Sequence, residues 1–79
     1  MKSVAVESTT LAKVAYDVDR QVLELEFCDQ RIYQYSGVPT EVHVALLLAS
    51  SKGNYFNRHI RGQFTFCRLT RSRMNRSLS

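Results

Sequence analysis

The chain has 79 residues, 44% hydrophobic and 23% charged, which is enough for one small core and too little to stabilise two. Val, Leu, Ile and aromatic residues recur throughout residues 11–69, which excludes a chain disordered throughout. No run approaches the ~18 apolar residues of a membrane span, the first residues lack the apolar run of a signal peptide, and the cysteines are too few for a disulfide framework, so the expectation is a cytoplasmic protein with no membrane partner.

The net charge of +4 hides an asymmetry. Residues 1–57 carry five basic and seven acidic groups, whereas residues 58–79 carry six arginines and no acid. Such a block attracts polyanions, although a solvated basic tail has the same composition.

In chain order, residues 11–16 alternate Ala12, Val14 and Tyr16 with Leu11, Lys13 and Ala15 and read as a strand, followed by turn residues Asp17, Val18 and Asp19. Residues 22–27 alternate more cleanly, placing Leu23, Leu25 and Phe27 on one face and Glu24 and Glu26 on the other, wet one. Residues 31–35 are β-prone and close a hairpin with that strand. A two-residue turn at Asp29 and Gln30 would set Tyr33 and Tyr35 opposite Glu26 and Glu24 on the outer face, whereas a three-residue loop would set them opposite Leu25 and Leu23 over the core.

Ser36, Gly37, Val38 and Pro39 end the sheet segment, and Thr40 is placed to cap a helix that begins with Glu41. Val42, Val44, Leu46, Leu47, Leu48 and Ala49 make that helix apolar on most sides, so it is expected to be largely buried across the sheet. Lys52 and Gly53 are expected to close it, with Gly53 left-handed. Asn54 then caps a second short helix bearing Tyr55, Phe56, His59 and Ile60, and Gly62 stops it. Phe64, Phe66 and their alternating neighbours to Leu69 form a last strand, with Phe56, Phe64 and Phe66 expected in the core. The fold class is therefore α+β, a three-strand antiparallel meander plus a C-terminal strand, packed against one main helix and a second short one. Residues 1–69 form a single domain, and residues 70–79 a flexible basic tail.

Catalytic and metal chemistry find little support. Cys28, His43, His59 and Cys67 lack the tight local pairing of zinc sites, no nucleophile sits in a glycine-framed turn beside a base, and Glu24 and Glu26 fit a solvated sheet face. No catalytic residue, metal or cofactor is expected. Arginines interleaved with aromatics are the better signal: Arg58, Arg61, Arg68, Arg71, Arg73 and Arg76 can follow phosphates, and Tyr33, Tyr35 or Tyr55 can stack on unpaired bases. Asn57 can cap a turn or meet a base edge.

Taken together, Ala15-Tyr16-Asp17, the apolar Leu23, Leu25 and Phe27, the Tyr33-x-Tyr35 pair, Val38-Pro39, Leu47, Ala49, Ser51, Gly53, Tyr55-Phe56-Asn57 and Ile60-Arg61 resemble the KTSC domain, over residues 8–66. That family is found alone in bacterial proteins and at the C-terminus of some lysyl-tRNA synthetases. The resemblance implies a non-enzymatic domain of unknown function for which RNA binding has been suggested, with a tRNA-facing role by analogy alone. Gln30 stands where such sequences carry glycine in the hairpin turn. The leading expectation is a non-catalytic RNA-binding module using Arg58, Arg61, Arg68 and the tail arginines, with Tyr33, Tyr35 and Asn57 as candidate base contacts. The rival is a protein-interaction module or homodimer, built on an exposed strand edge or an apolar patch near Tyr33 and Tyr55.

Overall fold

The computed structural model describes residues 2–6 and 8–69. Strands β1 (Lys2–Ala5), β2 (Leu11–Asp17), β3 (Val22–Phe27), β4 (Ile32–Tyr35) and β5 (Phe66–Leu69) form one antiparallel sheet in chain order. Helix α1 (Thr40–Leu48) and a short helix α2 (Lys52–Tyr55), which runs directly into a π-helical turn at Phe56–Ile60, supply the helical part of the core. The class is α+β, as the sequence implies, with one strand more than its pattern predicts. That strand is β1, whose Lys-Ser-Val-Ala carries too little alternation to be read alone and is defined by its pairing with β2. The expected tail, residues 70–79 with Arg71, Arg73 and Arg76, lies outside the described residues. Among the described residues, no helix is long and apolar enough to cross a membrane.

One face of the sheet is built for burial. Val14 pairs with Leu25 and Tyr16 with Leu23, so these residues share a side, and a bulge at Ala12 turns Leu11 to that side as well, opposite Phe27. Without the bulge, strict alternation would put Leu11 and Val14 on opposite faces. Leu11, Val14, Leu23, Leu25 and Tyr35 then meet Val38, Leu46, Phe56 and Ile60 in one core. The other face keeps Glu24 and Glu26 half-exposed, with the Gln34 amide donating to the Glu24 carboxylate at 3.2 Å.

The hairpin between β3 and β4 takes the three-residue register: Leu23 faces Tyr35 and Leu25 faces Tyr33. Its loop, residues 28–30, closes with the Gln30 N–H donating to the Phe27 carbonyl at 2.9 Å and the Phe27 N–H donating to the Arg31 carbonyl at 2.8 Å. Gln30 adopts φ +74, the left-handed geometry that ends such a loop and that glycine supplies without steric cost.

The helices correct several expectations. Thr40 is the first helical residue and not its cap; Pro39 occupies the cap position, extended at φ −65 and ψ 154, with no side-chain cap bond. α1 is not buried all round: Leu46 is buried, Val42 and Leu47 pack partly against the core, but Val44 is 46% and Leu48 79% exposed. The reason is that Phe56 and Ile60 of the next segment fill the same core, so α1 covers only part of it. α1 ends at Leu48, and Lys52 and Gly53 belong to α2, where the Ser51 hydroxyl, not Asn54, caps by accepting from the Asn54 N–H at 3.4 Å. Gly53 is needed for space and not for handedness, since a Cβ there would lie 2.6 Å from Thr10 Oγ1. Gly62, at φ +76, does end the π-helical turn.

Two substitutions test this reading. Gln30→Gly removes left-handed strain worth about 1 kcal/mol, so its urea midpoint rises above wild type. Gly53→Ala should lose about 1–3 kcal/mol by overpacking against Thr10, despite alanine's better helix propensity.

Candidate nucleic-acid interface

Because β4 pairs with β5, with Tyr35 opposite Phe66 and Tyr33 opposite Arg68, all four side chains emerge on the helix-covered face. α1 and the π-helical turn do not reach across β5, which leaves an open cleft of about 600 Å³. Its floor is aromatic. Tyr33 lies nearly parallel to Phe66, centroids 5.6 Å apart at 10°, and to Tyr35 at 6.4 Å and 23°. Phe56 meets Phe27 and Tyr35 edge-on at 5.2 and 5.8 Å. Polar groups form the rim: Asp29 and Arg31 from the hairpin, Asn57 and Arg61 from the π-helical turn, and Thr10 from the start of β2.

Two of the candidate stacking groups separate here. Tyr33 is half-buried, but Tyr35 is 3% exposed, its ring enclosed by Phe56 and Phe66, so it offers no free ring face to a base. Phe66 takes its place. Phe66 does not join Phe56 and Phe64 in the core as its alternation implies; Phe56 is buried and Phe64 packs against the core, whereas Phe66 is 53% exposed because β5 is an edge strand beyond the helices. Tyr55 lies outside the cleft, tilted against His59 at 4.5 Å.

Of the candidate basic groups, Arg61 lines the cleft, Arg68 projects from the same sheet face beside Phe66, and Arg58 is exposed on the π-helical turn away from the cleft. Arg31, which lies outside the arginine-rich C-terminal block, joins Arg61 on the rim. It could have been found by parity, since residues 31, 33 and 35 share one face of a strand. Its guanidinium pairs with Asp29 at 3.2 Å, an exposed contact of little energetic weight, and the Asp29 carboxylate also accepts from the Arg31 N–H, so the pair fixes the loop. Asn57 faces the cleft with its amide making no hydrogen bond to another described residue. Arginines thus gather around the cleft, while the side of the sheet behind it carries Glu24, Glu26 and, opposite Glu26, Lys13.

The groups considered for metal or nucleophilic chemistry are dispersed. Cys28 and Cys67 are exposed free thiols, and the described residues contain no group of three or more His, Cys, Asp or Glu. His43 stacks on Tyr16 with centroids 4.5 Å apart at 14°, while the Tyr16 hydroxyl donates to the Val38 carbonyl and ties β2 to the entry of α1.

Comparison with known proteins agrees with this architecture. Residues 7–64 match the KTSC domain model. The chain is 44% identical over 63 residues to an uncharacterised protein of Stutzerimonas stutzeri, covering 80% of this chain and 89% of that one. It is 36% identical over 64 residues to a lysine–tRNA ligase of Nostoc punctiforme, covering 81% of this chain but only 11% of the ligase. The crystal structure of a KTSC domain protein from Yersinia pestis superposes with a TM-score of 0.85 at 35% identity, covering 87% of this chain and 97% of that one. The chain belongs to the KTSC domain family.

Burial holds the His43 imidazole below its ordinary pKa of 6.5. Between the folded and unfolded values the unfolded chain binds more protons, so stability is fully present above pH 6.5 and falls as pH drops through the depressed folded pKa. Thermal melts should therefore show lower Tm at pH 5.5 than at pH 7.5, and His43→Phe should flatten that dependence.

Proposed function

We propose that this domain is a non-catalytic, cytoplasmic binder of single-stranded nucleic acid, RNA in preference to DNA. The observation that carries the reading is the accessible Tyr33–Phe66 platform inside a cleft rimmed by Arg31, Arg61 and Asn57. Base–aromatic stacking contributes about 1–3 kcal/mol per base and tolerates any sequence, while arginines contact phosphates through a salt-sensitive electrostatic term. Asn57 supplies both a donor and acceptors for a base edge. Electrostatics favour the same approach, since Arg31 and Arg61 on the rim and Arg68 on the same sheet face draw a polyanion to the cleft side. The similarity to part of a lysine–tRNA ligase favours RNA over DNA. Arg58 and Arg68 offer further phosphate contacts in this reading, Arg71, Arg73 and Arg76, outside the described residues, add basic charge, and a tRNA single strand is the partner closest to the ligase context.

A second reading, a protein-interaction or self-association module, is favoured by the outward face of α1, where Val44 and Leu48 stand exposed above a shallow groove that includes Gln21 and Glu41.

Fluorescence-anisotropy titration separates the two. Single-stranded RNA should bind with an affinity that falls steeply with salt. Arg61→Gln should reduce the slope of log affinity against log salt by about 0.7 unit for one lost phosphate contact. Phe66→Ala should weaken binding at least about fivefold through lost stacking. Absence of binding at low salt, together with a mass that rises with protein concentration and falls in Leu48→Ser, would favour self-association instead.

A further inference from the structure

The floor of the cleft contains a polar group whose partner the protein does not provide. Tyr35 is 3% exposed and lines the cleft, yet its hydroxyl makes no hydrogen bond to any described residue. Tyr16 is the contrasting case, its hydroxyl satisfied by the Val38 carbonyl. A buried hydroxyl left unmatched costs about 1–3 kcal/mol, and native structures satisfy such groups with protein, ordered water or ligand. Phenylalanine would fill the same aromatic site between Phe56 and Phe66 without that cost, so the oxygen calls for a role of its own.

Burial, and then the neighbouring Tyr33 hydroxyl, push the Tyr35 phenol above its ordinary pKa of 10.0, while the Arg61 guanidinium acts in the opposite direction. Tyr35 is therefore an O–H donor at every physiological pH, within electrostatic reach of a fixed cation. A phenol O–H and a guanidinium lining one cleft present donors, and their complement is a compact, acceptor-rich anion. Of the two rim arginines, Arg31 is paired with the Asp29 carboxylate, whereas Arg61 makes no ion pair with another described residue.

We propose that the Tyr35 hydroxyl and the Arg61 guanidinium together bind one phosphate group in the cleft, with the attached nucleobase against Tyr33 and Phe66. The proposal rests on the nucleic-acid reading and adds that Tyr35 acts through its oxygen and not through its ring. The phosphate can be an internal diester of a strand or a terminal monoester.

The test compares wild type, Tyr35→Phe, Arg61→Gln and the double variant. The probes are a ten-nucleotide single-stranded RNA with a 5′-hydroxyl, the same RNA with a 5′-phosphate, and adenosine 5′-monophosphate. Tyr35→Phe retains the ring, so its Tm stays at or above wild type while affinity falls about tenfold. The double variant should lose less than the sum of the single losses, because both residues hold one group. Equal loss on both RNAs assigns the site to an internal diester. Loss confined to the 5′-phosphorylated RNA and the monophosphate assigns it to a terminal one. RNA binding unchanged in Tyr35→Phe, or a lowered Tm with unchanged affinity, would overturn the phosphate site and leave the nucleic-acid reading intact. Failure of wild type to bind any probe at low salt would overturn both.

Discussion

The register of the hairpin between β3 and β4 is the constraint on which the remaining architecture depends. A side-chain period of two means that a slip of one residue would carry Tyr33 and Tyr35 from the helix-covered face to the face of Glu24 and Glu26. The core would lose Tyr35, β5 would pair against a reversed strand face, and Arg31 would leave the cleft rim. What holds the register is the loop at residues 28–30, and within it the left-handed backbone of Gln30. The Asp29 contacts to Arg31 brace that loop from outside. Local backbone geometry and the position of every aromatic in the cleft are thus one problem.

The second determinant is how the helical segment approaches the sheet. The missing side chain at Gly53 lets α2 come against Thr10, and the π-helical turn that follows buries Phe56 and Ile60 while carrying Asn57 and Arg61 to the rim. π-Helical turns are rare and tend to occur where function outweighs regularity. Here the turn ends before β5, so the edge strand keeps Phe66 open to solvent beside Tyr33. A longer helical cover would have made a better core and closed the cleft. The exposed Val44 and Leu48 on α1 show the same economy of coverage in a chain with one small core.

Much of the fold was legible in the sequence, for identifiable reasons. The alternation of Leu23, Leu25 and Phe27 with Glu24 and Glu26 gave the second strand and its wet face, and Gly37, Pro39 and Gly62 marked real boundaries. The register stayed open because Asp29 and Gln30 permit either loop, and only the contest between placing Tyr33 and Tyr35 or Ile32 and Gln34 over the core resolves it. β1 has no amphipathic pattern of its own. The caps were misassigned because Thr40 and Asn54 have the right chemistry while Pro39 and Ser51 hold the right positions. Burial of Phe66 was overestimated because composition cannot reveal that an edge strand extends past its cover. In the candidate site, Tyr33, Asn57 and Arg61 were visible as types and spacings. The exchange of roles between Tyr35 and Phe66, and the arrival of Arg31, required the three-dimensional pairing.

Membership of the KTSC family accounts for the shared scaffold, and the functional claim rests on the cleft that this chain's own residues build. Its central point is that ligand enters between β5 and the π-helical turn, over Tyr33 and Phe66. The most direct measurement is an amide chemical-shift map of the ¹⁵N-labelled protein titrated with a short single-stranded RNA. The account predicts shifts concentrated at Arg31, Tyr33, Asn57, Arg61 and Phe66 and absent from the outward face of α1. Shifts centred on Val44 and Leu48 with the cleft residues unmoved would contradict it.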